Sequence, residues 1–217
     1  MTGSAVLLRH RGHDPVVDPS AFVAPTATLV GDVRVGPRAR VMYGAVLDAE
    51  GSTVEVGECA IVCEHAVLRA TAAGGTPRPV VLGDHVFVGP HAALLGCHVD
   101  RCAYLATGVT VLHAARIGAG GSIAVGALVH AGAVVPDELL VPPNMVAVGD
   151  PVRLLPPEDP EALGAAVRST GFAPLAFGVE AGWKDRITRY EQMAEVRASE
   201  FGAHADDEVL SGGAAAG

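Results

Sequence analysis

Branched aliphatic residues recur along this chain with a step of six. Counting from Val23, the series runs Val23, Leu29, Val35, Val41 and Leu47. It resumes three residues late at Val56, Val62 and Leu68, and then after a longer break centred on AAGGTPRP at Leu82, Val88 and Leu94. One residue short, it continues through Val99, Leu105, Val111, Ile117, Ile123, Val129, Val135 and Val141. The fifth position of each hexad favours Ala, and the second is often Gly, as at Gly36, Gly57, Gly83, Gly89 and Gly118. A period of six is neither the 2 of a strand nor the 3.6 of a helix. It suits a prism-shaped solenoid in which each hexad forms one flat side, with its aliphatic inward and its small residue near a corner. Three hexads close one coil, and adjacent coils pair as parallel strands about 4.8 Å apart. The pattern predicts an all-β solenoid over residues 23–156.

The flanks break the period. Residues 1–22 read as a lead-in strand that caps the first coil. After VAVGDPVRLLPP, residues 157–201 read as a helical segment. PEDPEALGAAVR carries acidic residues early and Arg168 late, the polarity a helix dipole favours. Trp183, Ile187, Tyr190 and Ala194 recur at helical spacing and predict an amphipathic helix over 183–200, with that face on a solenoid side. Residues 202–217 read as a disordered tail.

Composition sharpens this picture. The 217 residues suit one domain; half are apolar, yet only 4% are aromatic, with 27 Gly and 15 Pro. So many aliphatics argue against disorder, and so much Gly and Pro argues against a helical bundle. A narrow prism also has little room for rings. The net charge of −9 makes nucleic acid an unexpected partner. No apolar run is long enough to span a membrane, and MTGSAVLLRHRGHD lacks the apolar core and cleavage site of a secretory signal. A cytoplasmic protein with four reduced cysteines is the expectation. Cys59 and Cys102 share a hexad slot two coils apart, about 9.6 Å, too far for a disulfide.

The hexad series resembles the left-handed parallel β-helix of the hexapeptide-repeat superfamily, which includes acyltransferases and γ-class carbonic anhydrases. The left hand comes from that resemblance, since crossover rules alone predict a right hand. Over about residues 5–156 the chain resembles the γ-carbonic anhydrase group: in AFVAPTATLVGDVRVGPRARVMYGAVLDAE, in the AAGGTPRP break, in LGDHVFVGPHAALLGC and in VAVGDPVRLLPP. The expected fold is thus a left-handed parallel β-helix with a C-terminal α-helical segment, and the resemblance implies a homotrimer. It also implies a zinc ion held by three histidines in the cleft between subunits, where metal-bound water attacks CO₂. Carried over segment by segment, the three ligand positions fall on Arg69, Pro90 and Leu95. None of these side chains ligates zinc. The family's supporting Arg and Asp fall on Asp48 and Glu50, and its Gln on Cys63. The resemblance therefore points to a divergent branch without the family's zinc site, and it does not license carbonic anhydrase activity.

Candidate cleft residues are Glu64, Arg69, His91, Thr107, His113 and His130. Glu64 and Thr107 share a slot with Pro90, and Arg69 and His130 share the slot of the first and third ligand positions. His65 and His91 occupy the fourth slot of one side, one coil apart, where a stacked surface pair is the plainer reading. His113 and His130 lie on the adjacent side in neighbouring coils. For Arg69 the plainer reading is a salt bridge to Glu64 or Asp48 across a subunit boundary. The sharper one is carboxylate binding, with a histidine as general base. His10, His13, His85 and His98 read as solvated or turn residues, and Asp48 and Glu50 as rim charges. No cofactor is expected, and zinc only through ligands other than the family's. Four readings follow. The first is a trimer that binds or converts a small anionic molecule in the inter-subunit cleft. The second is a non-catalytic trimeric scaffold or assembly protein. The third is a hexapeptide-repeat acyltransferase, although the AAGGTPRP break lacks the histidine such enzymes carry on a projecting loop. The fourth is a carbonic anhydrase with relocated metal ligands.

Overall fold

The computed structural model describes residues 5–180, 182 and 184–210. Its core is three in-register columns of aliphatic side chains, one per side of a left-handed parallel β-helix. The first column stacks Leu29, Leu47, Leu68, Leu94, Val111, Val129 and Ala147. The second stacks Val35, Val56, Leu82, Val99, Ile117 and Val135. The third stacks Val23, Val41, Val62, Val88, Leu105, Ile123 and Val141. Every residue of the sixfold series falls into one of these columns. All except Val23, in the open first coil, are 3% exposed or less.

The other hexad slots follow from the corners. The fourth slot adopts positive φ, taken by Gly44, Gly108 and Gly126 but also by Arg38, Cys59, His65, His85, His91 and Cys102. The alanines of the fifth slot, such as Ala39, Ala66 and Ala115, are fully buried where the chain turns inward. At the second slot successive coils nearly touch. A Cβ on Gly57 would stand 2.6 Å from the carbonyl carbon of Gly83, and one on Gly83 would stand 2.7 Å from the Arg101 nitrogen. The three irregularities of the hexad series all fall at one corner, between the first and second columns.

The ten-stranded sheet is closed at both ends. Val6–Arg9 pairs parallel with Thr28–Val30 and antiparallel with Glu208–Val209. At the far end Arg153–Leu155 folds back antiparallel on Val146–Val148. Helices α1 (Pro160–Ser169), α2 (Phe172–Phe177) and α3 (Arg186–Phe201) then lead back to the first coil. Asp159 caps α1 by accepting the Ala162 N–H at 2.9 Å.

Two expectations for the C-terminal segment are corrected. The supposed tail is structured from Gly202 to Leu210: a 3₁₀ turn over Gly202–Asp206 precedes the strand Glu208–Val209, and the Leu210 N–H donates to the Leu7 carbonyl at 2.8 Å. Residues 211–217 lie outside the described residues. The expected helix is present as α3, but its inward face is Arg189, Met193, Val196, Arg197 and Glu200, while Ile187 and Tyr190 are exposed. Trp183 lies outside the described residues. The physical reason is that α3 docks partly through polar groups. The Glu200 carboxylate accepts from Thr71 Oγ1 at 2.6 Å and from the Ala72 N–H at 2.8 Å, and it pairs with Arg197. All four cysteines are free.

The glycine contacts carry a test. Gly57→Ala forces two coils apart against their shared hydrogen bonds and is expected to cost about 1–3 kcal/mol in urea unfolding. A change near zero would show that the second slot does not set coil spacing.

Candidate functional site

The sequence candidates occupy two corners of the prism. At the corner between the third and first columns, Glu64 is half-buried and Thr107 is exposed. His65 and His91 lie one coil apart with positive φ, and their exposed rings stack at 5.4 Å between centroids. Histidine tolerates the left-handed region better than branched residues do, so the corner backbone accounts for both.

At the corner between the first and second columns the chain buries its polar groups. Arg69 ends the strand Val67–Arg69, directly beside Asp48 in the neighbouring coil. Its Nε donates to Asp48 Oδ2 at 3.1 Å, and the Phe201 ring lies 5.1 Å from its guanidinium carbon. The expected Arg69 salt bridge thus forms with Asp48 inside one chain rather than across a boundary.

His113 and His130 are buried, not set in an open cleft. They pack against Phe172 of α2 at 6.1 and 5.9 Å between centroids. Burial, helped by the Arg197 and Arg78 charges, pushes the His113 pKa down to about 4. Burial lowers that of His130 as well. Both Nδ1 atoms are buried without a hydrogen-bond partner among the described residues. A neutral imidazole sealed under α2 does not serve as a general base for a cleft substrate.

A third group was missed. His10, read as a solvated or turn residue, is buried, as are Asp48 and Glu50, read as rim charges. Asp207 lies between two imidazoles, 2.6 Å from His10 Nδ1 and 2.8 Å from His204 Nδ1. The two rings stack at 4.4 Å. The opposite nitrogens face Glu50: His204 Nε2 is 3.1 Å from Oε1 and His10 Nε2 is 4.0 Å from Oε2. One ligand atom from each of His10, Glu50 and His204 can be chosen so that all lie within 4.8 Å of one another. Asp48 Oδ2 is 3.8 Å from His204 Nε2. Burial raises the Glu50 pKa, helped by the Asp48 charge and opposed by His204. For His204 burial pulls downward, but the bonds to Asp207 and Glu50 outweigh it and hold the pKa up. No local motif signals this group, because His10 and Asp207 are 197 positions apart and both precede or follow the solenoid.

No family model matches the chain. It is 33% identical over 143 residues to γ-carbonic anhydrase 1, mitochondrial, of Arabidopsis thaliana, covering 65% of this chain and 50% of that protein. It is 31% identical over 157 residues to γ-carbonic anhydrase 2, mitochondrial, of the same plant, covering 69% and 54%. Among solved structures it superposes on a putative acetyltransferase of Bacillus cereus, with a TM-score of 0.59, 24% identity and coverage of 91% and 98%. A hexapeptide transferase family protein of Anaplasma phagocytophilum gives a TM-score of 0.58 at 25% identity, covering 89% and 97%. This chain is a hexapeptide-repeat protein related to the γ-carbonic anhydrases. It spans about half the length of the curated γ-carbonic anhydrases it matches. The positions that the resemblance assigns to the family's zinc do not suit an ion in this γ-carbonic anhydrase relative. Arg69 is a permanent cation engaged with Asp48, and Pro90 and Leu95 have no donor atom. No described helix is long and apolar enough to cross a membrane.

The buried histidine sets a pH dependence. His113 titrates near 6.5 when unfolded and at about 4 when folded. Its neutral form is favoured by folding, so its contribution is complete above pH 6.5 and is lost as pH falls towards 4. Between those limits the native protein is expected to lose on the order of 2–3 kcal/mol more than His113→Gln, measured by urea unfolding at each pH. Parallel profiles for the two proteins would rule out a buried neutral imidazole.

Proposed function

We propose that this γ-carbonic anhydrase relative is a homotrimer whose inter-subunit cleft binds a small anionic molecule through Arg69, without the zinc of its relatives. The carrying observation is the state of Arg69. Its side chain is 33% exposed, and Asp48 engages only Nε. Its two terminal nitrogens have no hydrogen-bond partner among the described residues. A guanidinium fixed in this way presents a planar fork that matches a carboxylate or bicarbonate. Because Asp48 already offsets its charge, recognition rests on hydrogen-bond geometry more than on net attraction.

A scaffold role is the second reading, supported by the exposed Ile187 and Tyr190 on the outer face of α3. The acyltransferase reading gains nothing from the AAGGTPRP segment. It does not project: Glu200 pins its start, and Arg78 Nε donates to the Leu175 carbonyl at 2.9 Å.

The test combines sedimentation velocity with calorimetric titration of formate, acetate and bicarbonate. The expected result is a trimer that binds one of these anions, with at least a tenfold loss in Arg69→Ala. A monomer, or equal binding by the variant, would overturn the proposal. Metal-dependent CO₂ hydration would favour relocated carbonic anhydrase chemistry instead.

A further inference from the structure

We infer that His10, Glu50 and His204 bind a divalent transition-metal ion where the two ends of the chain meet. The donors are two imidazoles and a carboxylate, a set that suits zinc with a position left for water. This site is separate from Arg69, Pro90 and Leu95, and the inference does not depend on anion binding there.

Three features of the cluster support the assignment. The first is the outer carboxylate. Asp207 engages Nδ1 of both rings, which leaves both Nε2 atoms for an ion beside Glu50. A carboxylate behind a histidine is the usual support of a metal-ligating imidazole, and here one carboxylate orients two. The second is the Glu50 side chain, which is 0% exposed and whose Oε2 has no hydrogen-bond partner among the described residues. A buried carboxylate oxygen without a partner is costly, and a cation removes that cost. The third is spacing. Donors bound to one tetrahedral zinc at about 2.1 Å lie roughly 3.4 Å apart. His204 Nε2 lies 3.1 Å from Oε1 and His10 Nε2 lies 4.0 Å from Oε2, and one donor from each of the three residues lies within 4.8 Å of the others, so side-chain rotations draw them in to that spacing.

Arg11 is the competitor. Its Nε donates to His10 Nε2 at 3.2 Å and its Nη2 to the Glu200 carbonyl at 3.2 Å. An arriving ion displaces the first of these bonds and takes the place of the hydrogen bond between His204 and Glu50. His204 remains 29% exposed, which gives the ion a route from solvent.

The experiment uses the full chain, stripped with a chelator, titrated with Zn²⁺ by calorimetry and with Co²⁺ by visible absorption. The expected result is one ion per chain with the bands of four-coordinate cobalt. His204→Ala and Glu50→Gln should each weaken binding at least 100-fold. Asp207→Asn should weaken it about 10–100-fold, the loss typical of an outer carboxylate. Arg11→Ala should bind at least as tightly as the native chain. His204 lies outside the coil stack and Glu50→Gln keeps the side-chain shape, so both variants are expected to retain the native circular dichroism. The double variant His65→Ala/His91→Ala removes the exposed histidine pair and should leave binding intact. Absence of uptake, survival of uptake in both His204→Ala and Glu50→Gln, or its loss in the double variant would overturn the assignment.

Discussion

The stacking of like on like in the three aliphatic columns is the constraint on which everything else depends. Each column holds because every coil returns an inward residue to the same register, Leu68 beneath Leu94 and Val56 beneath Leu82. A shift by one residue would turn the inward residues of a side outward, so the register tolerates no slip within a strand. Insertions and deletions must be absorbed where the chain is not paired, and this chain absorbs all three at one corner. That corner departs from the hexad rule without breaking the columns. It is also where Asp48, Glu50, Thr71, His113 and His130 are buried.

The C-terminal segment uses that corner as its track. Starting from the last coil, α1, α2 and α3 run back to the first, and Glu208–Val209 adds an antiparallel strand beside Val6–Arg9. A solenoid end exposes unpaired backbone groups that invite a second chain, and this strand covers that edge. Docking by α3 is mixed in character. Met193 and Val196 pack against the buried cluster of Ala173, Ala176, Phe177 and Val179, while Glu200 gathers hydrogen bonds from Thr71, Ala72 and Arg197. Burying that carboxylate is tolerable because each of its oxygens is supplied with a donor.

The fold was legible because its signal is periodic and local: a branched aliphatic every six residues is enough to name the column it joins. The polarity of the α1 segment and the separation of Cys59 from Cys102 follow from nearby residues in the same way, whereas the hand of the coil came from resemblance. Ile187 and Tyr190 misled because an apolar stripe on a helix implies an apolar surface beneath it, and the surface beneath α3 is partly polar. Arg69, Pro90 and Leu95 were assigned by resemblance, through segments that each lie on one coil. The His10–Glu50–His204 group was not, because it assembles only when the two ends of the chain meet over the first coil.

Asp48 joins the two halves of this corner. One carboxylate oxygen stands 3.1 Å from Arg69 Nε and 3.8 Å from His204 Nε2. Any change in charge on the histidine side is therefore felt at Arg69 through a buried carboxylate, where screening is weak. Asp48 thus fixes the Arg69 guanidinium from one side and faces the His204 imidazole from the other, so the two halves of the corner form one electrostatic unit rather than two independent sites.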